Sequence, residues 1–267
     1  MDFGSVMKDW AGRRRIVRVM ADVGPCWGLI TEGGVMSLPD GPFGDAPRVG
    51  DRLGAVDEVR LLAPTVPSKI IGVGRNYVEH AAEHGVEIPT EPLLFLKPPS
   101  SVLAPGGTIV LPELSRRVEY EGEVAVVMGR RCRNVVEADA WRDVLGVTCG
   151  NDVTARDIQR SDPQWTRGKG FDTFCPLGPW IVTGLTQDQA SALEFRCRVN
   201  GELRQRGDTS QMVFPVARLI AHISAVMTLE PGDVILTGTP SGVGRLAGGD
   251  RVEVEIVGVG VLSNSVG

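Results

Sequence analysis

The chain has 267 residues, 42% of them hydrophobic and 23% charged, with a net charge of −5 at pH 7. That is the composition of a globular protein large enough for one substantial core. The acidic balance argues against a nucleic acid or an anionic membrane as partner, and no apolar run is long enough to span a bilayer. The basic triplet Arg13-Arg14-Arg15 is too short to overturn this and reads as a solvated face. Five cysteines (Cys26, Cys132, Cys149, Cys175, Cys197) are scattered without metal-ligand or redox spacing. They read as free thiols in a reducing compartment. With a polar N-terminus that lacks the apolar segment of a signal peptide, the expected location is the cytoplasm.

In chain order, short β-branched and apolar pieces at 16–20, 27–31 and 35–38, split by Gly, Asp and Pro, predict a small N-terminal β domain over residues 1–65. Pro64 and Pro67 punctuate the chain before a new apolar run at 70–73, so a second domain is expected over 66–267. There, strands are expected near 93–96, 108–110, 122–128, 146–149, 178–182, 193–199, 233–237 and 251–256. Helices are expected near 77–84, 136–144, 155–160 and 215–227. Strands outnumber helices and do not alternate with them, which excludes a doubly wound fold. The expected class is α+β, rich in β, with sheets packed or rolled around one core.

The most informative segment is Glu119-Tyr120-Glu121-Gly122-Glu123, followed by Val124-Ala125-Val126-Val127-Met128. On a strand, Glu121 and Glu123 share a face. Two adjacent carboxylates beside an apolar run are costly unless a cation sits between them, and a hard divalent ion with oxygen ligands suits the task. Asp152, at the end of a strand and before a helix, can return to the same place after one strand–helix–strand excursion. Read alone, Asp152 is more simply an N-cap, and an isolated Glu-x-Glu is more simply a solvated edge.

Lys169 lies in the polar stretch 161–170. It reads either as a surface lysine or as a cation that stabilises developing enolate charge. His80 and Glu83 are three residues apart on a short helical pattern, where a carboxylate can orient an imidazole as general base; two surface polar residues is the plainer alternative. The Gly-rich stretch 237–244 lacks the ending of a phosphate-binding loop. It is either a tight turn or a cradle of amides for a carboxylate.

Gly74-Arg75-Asn76-Tyr77-x-x-His80, Phe95-Leu96-Lys97-Pro98, Glu121-x-Glu123, Asp152-Val153-Thr154-Ala155-Arg156-Asp157-x-Gln159, Lys169-Gly170-Phe171-Asp172 and Gly238-Thr239-Pro240-Ser241-Gly242-Val243-Gly244 occur in this order. Together they resemble the fumarylacetoacetate hydrolase family, from about residue 68 onward. The resemblance implies a mixed β-sandwich roll, a Mg²⁺ or Mn²⁺ site and a homodimer. It implies Glu121, Glu123 and Asp152 as metal ligands. Arg156, Gln159, Lys169 and Thr239 would hold the 2-oxo-carboxylate end of a small-molecule substrate, with His80 and Glu83 as a lid-borne dyad that activates water. Glu119 has the same parity as the other two glutamates but no role in the family pattern, and is left outside the site.

The activity so implied is hydrolysis of a C–C bond in a 2,4-dioxo acid, giving pyruvate and a carboxylic acid. The same electron sink also serves decarboxylation of a 4-carboxy-2-oxo acid such as oxaloacetate, or isomerisation of a 2-hydroxydienoate. A metal-dependent binding protein without catalysis is the remaining alternative.

Overall fold

The apolar run after Glu123 becomes the strand Gly122–Met128, every residue of which is buried. Its alternation divides it between two cores. Val124, Val126 and Met128 join one apolar cluster and Ala125 and Val127 the other, as side chains on opposite faces of a strand must. The computed structural model describes residues 12–44, 46–78 and 89–267.

That strand is central in a twelve-stranded sheet. Ten strands follow the order Arg52–Gly54, Gly34–Ser37, Gly24–Thr31, Arg14–Ala21, Cys175–Thr183, Val144–Asn151, Gly122–Met128, Val234–Leu236, Ile70–Gly74 and Leu93–Lys97; two short strands pair alongside. Neighbours on this path are antiparallel, except that Val234–Leu236 runs parallel to Ile70–Gly74. The N-terminal meander extends this sheet through pairing of Arg14 with Thr183 and Ile16 with Ile181. Arg15 is not on a solvated face: its guanidinium lies 5.6 Å from the Trp180 ring centroid, and burial lowers its pKa.

A five-stranded sheet, ordered Glu202–Asp208, Glu194–Val199, Arg251–Ile256, Gly260–Val266 and Thr108–Ile109, packs over Val144–Asn151 and Cys175–Thr183. Phe195, Cys197, Val254 and Leu262 meet Val126, Val147 and Val182 in the shared core. Thus the architecture is the expected β-rich α+β sandwich. The helix expected at 215–227 is Val216–Val226, with Val216, Leu219, Ile220 and Ile223 on its buried face. The one expected at 136–144 is instead a 3₁₀ helix, Glu137–Asp143. It runs straight into the strand that starts at Val144, and the extended conformation required there leaves only a tight terminal turn.

The excursion expected between Glu123 and Asp152 is present. The chain leaves Met128, passes the 3₁₀ helix and returns antiparallel, with Glu123 opposite Gly150 and Gly122 opposite Asn151. All five cysteines are free, and burial pushes the thiols of Cys149 and Cys175 up to about 12, which leaves them unreactive at neutral pH. No helix among the described residues is long and apolar enough to cross a membrane.

Candidate metal and oxo-acid site

Three chain segments bring carboxylates together. Glu121 occupies the break between the strands Val118–Tyr120 and Gly122–Met128, and Glu123 is the second residue of the latter. Asp152 follows Val144–Asn151, its N–H donating to the Glu121 carbonyl at 2.8 Å. One oxygen from each of Glu121, Glu123 and Asp152 lies within 4.8 Å of the others, and all three residues are buried. Asp152 caps nothing: the helix Arg156–Ser161 begins after Ala155 and has no side-chain cap.

Cations surround the triad. Lys169, 2% exposed, donates to Glu121 Oε2 at 2.8 Å and also to Asp152 Oδ2. It sits at the end of the short helix Thr166–Lys169, beneath Phe95, whose ring centroid is 4.8 Å from the Nζ. The reading of Lys169 as a surface lysine is therefore set aside. Burial works against the ammonium, but Asp152 and Glu121 outweigh it and hold its pKa above the ordinary lysine value. Arg156 pairs with Glu121 Oε1, with Glu119 at 2.6 Å and with Gln159 Oε1 at 2.6 Å. Burial again opposes the charge, and Glu121 and Glu119 raise it.

Two participants were not assigned from sequence. Lys97, 1% exposed, ends the edge strand Leu93–Lys97 and donates to Asp152 Oδ1 at 2.6 Å and to the Val153 carbonyl at 3.2 Å. Its signal was a charge closing an apolar run. Glu119, left outside the site on sequence, is 1% exposed and accepts from both Arg156 and Arg117. It touches the guanidinium that faces the triad and so fixes its orientation.

Glu123 is the exception. Its Oε2 accepts from the Gly238 N–H at 2.7 Å, yet it has no ion pair among the described residues. Burial, then Asp152 and Glu121, push its carboxyl well above the ordinary range. Around the triad, four buried carboxylates (Glu119, Glu121, Glu123, Asp152) face three buried cations, Lys97, Arg156 and Lys169. A divalent cation fits on both counts: the donors are hard oxygens, and a bound cation would supply the positive charge that Glu123, alone among these carboxylates in having no cationic partner, needs in order to ionise.

The Gly-rich turn does cradle a carboxylate, and it is the protein's own Glu123. Gly238 adopts φ +98°, and a Cβ there would lie 2.8 Å from the Asn76 Cβ. Asn76 cannot yield, because its amide is bonded to Thr237 O, Phe214 O and Phe214 N. Gly238→Ala is therefore expected to cost about 1–3 kcal/mol of stability, the range for a strained backbone position, read as a lower denaturation midpoint. An unchanged midpoint would show that the turn relaxes.

These groups open on a cavity of about 350 Å³ lined by Glu121, Glu123, Asp152, Arg156, Lys169, Gln159 and Thr239 at the acidic end. Phe95 and Trp165, whose centroids are 5.5 Å apart, form an aromatic wall. Thr239 is in place, but its hydroxyl already donates to the Gly122 carbonyl and accepts from Gln205. Its proton is therefore not available to a substrate carboxylate. His80 and Glu83 lie outside the described residues.

The chain from 69 to 267 matches the family model described as fumarylacetoacetate (FAA) hydrolase C-terminal, and residues 14–64 match one described as Rv2993c-like, N-terminal. Protein Rv2993c of Mycobacterium tuberculosis is 48% identical over 229 residues, 86% of each chain. The human mitochondrial oxaloacetate tautomerase FAHD2A is 48% identical over 219 residues, 78% of this chain and 70% of that one. A crystal structure of 5-carboxymethyl-2-hydroxymuconate delta-isomerase from Mycobacterium smegmatis superposes with a TM-score of 0.87 at 46% identity, covering 94% of this chain and 98% of that one. The buried triad, its lysines and the sandwich that carries them are those of a member of the fumarylacetoacetate hydrolase family, and the chain belongs to it.

Proposed function

We propose that the protein is a divalent-metal-dependent enzyme that moves a proton between the keto and enol forms of a 2-oxo acid. The observation that carries this reading is the buried, charged Lys169 bridging Glu121 and Asp152 inside the cavity. Enolisation places negative charge on the 2-oxo oxygen, and a fixed ammonium in a desolvated pocket stabilises that charge far more than water does. Glu121, Glu123 and Asp152 would hold Mg²⁺ or Mn²⁺, which when bound supplies Lewis acidity and a chelating template.

Arg156, oriented by Glu119 and paired with Gln159, binds the substrate carboxylate, and the wall of Phe95 and Trp165 excludes water. His80, with Glu83 three residues on, is assigned the base that moves the proton between C3 and the 2-oxo oxygen. The two relatives named for their reactions, an oxaloacetate tautomerase and a delta-isomerase, both carry out such transfers, which favours proton transfer over the C–C hydrolysis first expected. Hydrolysis by the same residues requires an added water as nucleophile; decarboxylation shares the enolate and is the nearer alternative.

The test is relaxation of enol oxaloacetate to its keto form, followed by absorbance, with Mg²⁺ and with excess chelator, beside a panel of acylpyruvates. Acceleration that depends on Mg²⁺ and disappears with chelator is expected. Cleavage of acylpyruvates without any effect on the enol would overturn the assignment.

A further inference from the structure

On the strand Leu93–Lys97, Phe95 walls the cavity while Lys97 lies behind its acidic floor. The Lys97 side chain is fully enclosed. Its Nζ donates to Asp152 Oδ1 at 2.6 Å and to the Val153 carbonyl at 3.2 Å. Asp152 and Lys169 line the cavity, and Lys97 is not one of the described residues that do. The ammonium thus backs Asp152 from the side away from any bound ligand. An ion pair so deeply buried adds little to stability over an apolar packing of the same volume, so its value must lie in what it does to Asp152.

Lys97 is held too firmly to follow the carboxylate if it turns. Its backbone pairs opposite Ile70 in the sheet. The next residue, Pro98, is pinned as well, its carbonyl accepting from the Ser101 N–H at 3.0 Å and the Ser101 hydroxyl at 2.7 Å. Gly170 lets the proline ring come close: a Cβ there would lie 3.0 Å from Pro98 Cδ. Lys169, the donor to the other oxygen of Asp152, faces the cavity instead and has space on that side.

The two oxygens of Asp152 are therefore unequal. Oδ1 carries a fixed ammonium, and Oδ2 carries one that can give way toward the cavity. A cation chelated by both oxygens would be drawn toward Lys97, and like charges repel strongly where water is excluded. A cation held by Oδ2 keeps its distance. The other two carboxylates show a similar commitment, since Arg156 takes Glu121 Oε1 and the Gly238 N–H takes Glu123 Oε2. Ca²⁺ uses about six to eight oxygens and readily takes both from one carboxylate, whereas the smaller Mg²⁺ keeps several waters and an octahedral shell. Single-oxygen ligands suit the smaller ion.

We infer that Lys97 is a positioning residue that reserves Asp152 Oδ1, confines Asp152 to ligation through Oδ2, and so gives the site its preference for Mg²⁺ or Mn²⁺ over Ca²⁺. This rests on the reading of Glu121, Glu123 and Asp152 as metal ligands and adds what selects the ion.

The test is calorimetric titration of Mg²⁺ and of Ca²⁺ into metal-free wild type, Lys97→Met and Lys97→Arg. Deleting a positive charge strengthens the attraction for both divalent ions alike, so the ratio of the two dissociation constants is the readout. The wild type is expected to bind Mg²⁺ the more tightly. In Lys97→Met the ratio should move toward Ca²⁺ by at least about tenfold, the lower end of what loss of a group behind a metal ligand does. Lys97→Arg keeps a charged donor and should retain the preference for Mg²⁺. A merely structural lysine would lower the denaturation midpoint and leave the ratio where it was.

Mn²⁺ bound to the wild type supplies a measurement that needs no variant and decides the matter if Lys97→Met does not fold. Pulsed EPR should count about three coordinated waters, the positions that three single-oxygen ligands leave on an octahedral ion. A count of two or fewer, a wild type that prefers Ca²⁺, or an unchanged ratio in folded Lys97→Met would each overturn the role of Lys97 and leave the metal-dependent reading in place. If Mg²⁺, Mn²⁺ and Ca²⁺ all fail to bind the wild type, both are overturned.

Discussion

Lys169→Met is expected to lower enol–keto turnover by on the order of 10²–10³-fold, the scale for removing one preorganised charge from a desolvated site. It should also destabilise the metal-free protein by about 3–5 kcal/mol, as breaking a buried ion pair on one side does. Both effects have one origin. Lys169 contacts Glu121 and Asp152 at once, and methionine keeps the stem under Phe95 while deleting the ammonium. Glu121 is then left with Arg156, and Asp152 with Lys97.

Mg²⁺ separates the two losses. A divalent ion restores positive charge beside both carboxylates and should recover much of the stability, yet it does not replace the ammonium that faces the substrate oxygen. Denaturation midpoints with and without Mg²⁺, set beside kcat, read this directly. A folded, Mg²⁺-loaded variant with near-normal kcat would remove Lys169 from the chemistry.

Glu123→Gln should act in the opposite sense on stability. The glutamine retains an acceptor for the Gly238 N–H but removes the one buried charge without a cationic partner. The sign follows from linkage. Because the folded pKa of Glu123 lies above the ordinary carboxylate value, the folded wild type holds a proton that the unfolded chain releases. The metal-free wild type therefore loses stability as pH rises from about 4.3 through that raised pKa, at about 1.4 kcal/mol per unit. The variant lacks this loss, so it should be the more stable protein at pH 8 and indistinguishable below pH 4.

Its response to metal should disappear. At 100 times the dissociation constant, an ion that binds only the folded state adds about 2.7 kcal/mol, and a variant missing one of three ligands forfeits nearly all of it. Thermal melts at two pH values, with and without Mg²⁺, measure both halves. A Mg²⁺ shift equal to that of the wild type would exclude Glu123 as a ligand.

How much of this was legible depended on whether the signal was local. Glu121 and Glu123 stood out because charge inside an apolar strand is expensive wherever that strand lies, and Asp152 followed from the length of one excursion. Lys169 was ambiguous because its neighbours are polar. Only the packing of Phe95 over it, from more than seventy residues away, makes it buried. Lys97 had a visible cue, a charge at the end of an apolar run, but its partner Asp152 lies 55 positions further on.

Glu119 shows parity used and then discarded. It does share a side with Glu121 and Glu123, and it serves by gripping Arg156 rather than by facing the cavity. The strands Glu202–Asp208 and Gly260–Val266 were not expected. The first is mostly polar, with only Gln205 and Gly207 fully buried, and the second is broken by small and polar residues. Both are held by pairing with neighbours rather than by their own pattern. Arg15 was misjudged for a related reason, since Trp180 reaches it only across the joined sheet.

The strand Gly122–Met128 buries both faces and carries Glu123 of the acidic floor, while Arg75 and Arg160 lie on a turn and near a helix end outside that strand. Inheritance can act on these parts separately. Substitutions on such a turn or helix end leave the packing of the buried strand intact, so one scaffold can carry different cavity rims over the same buried carboxylates. Positions 75, 160 and 162 line the cavity and can be varied while the buried carboxylates are left untouched.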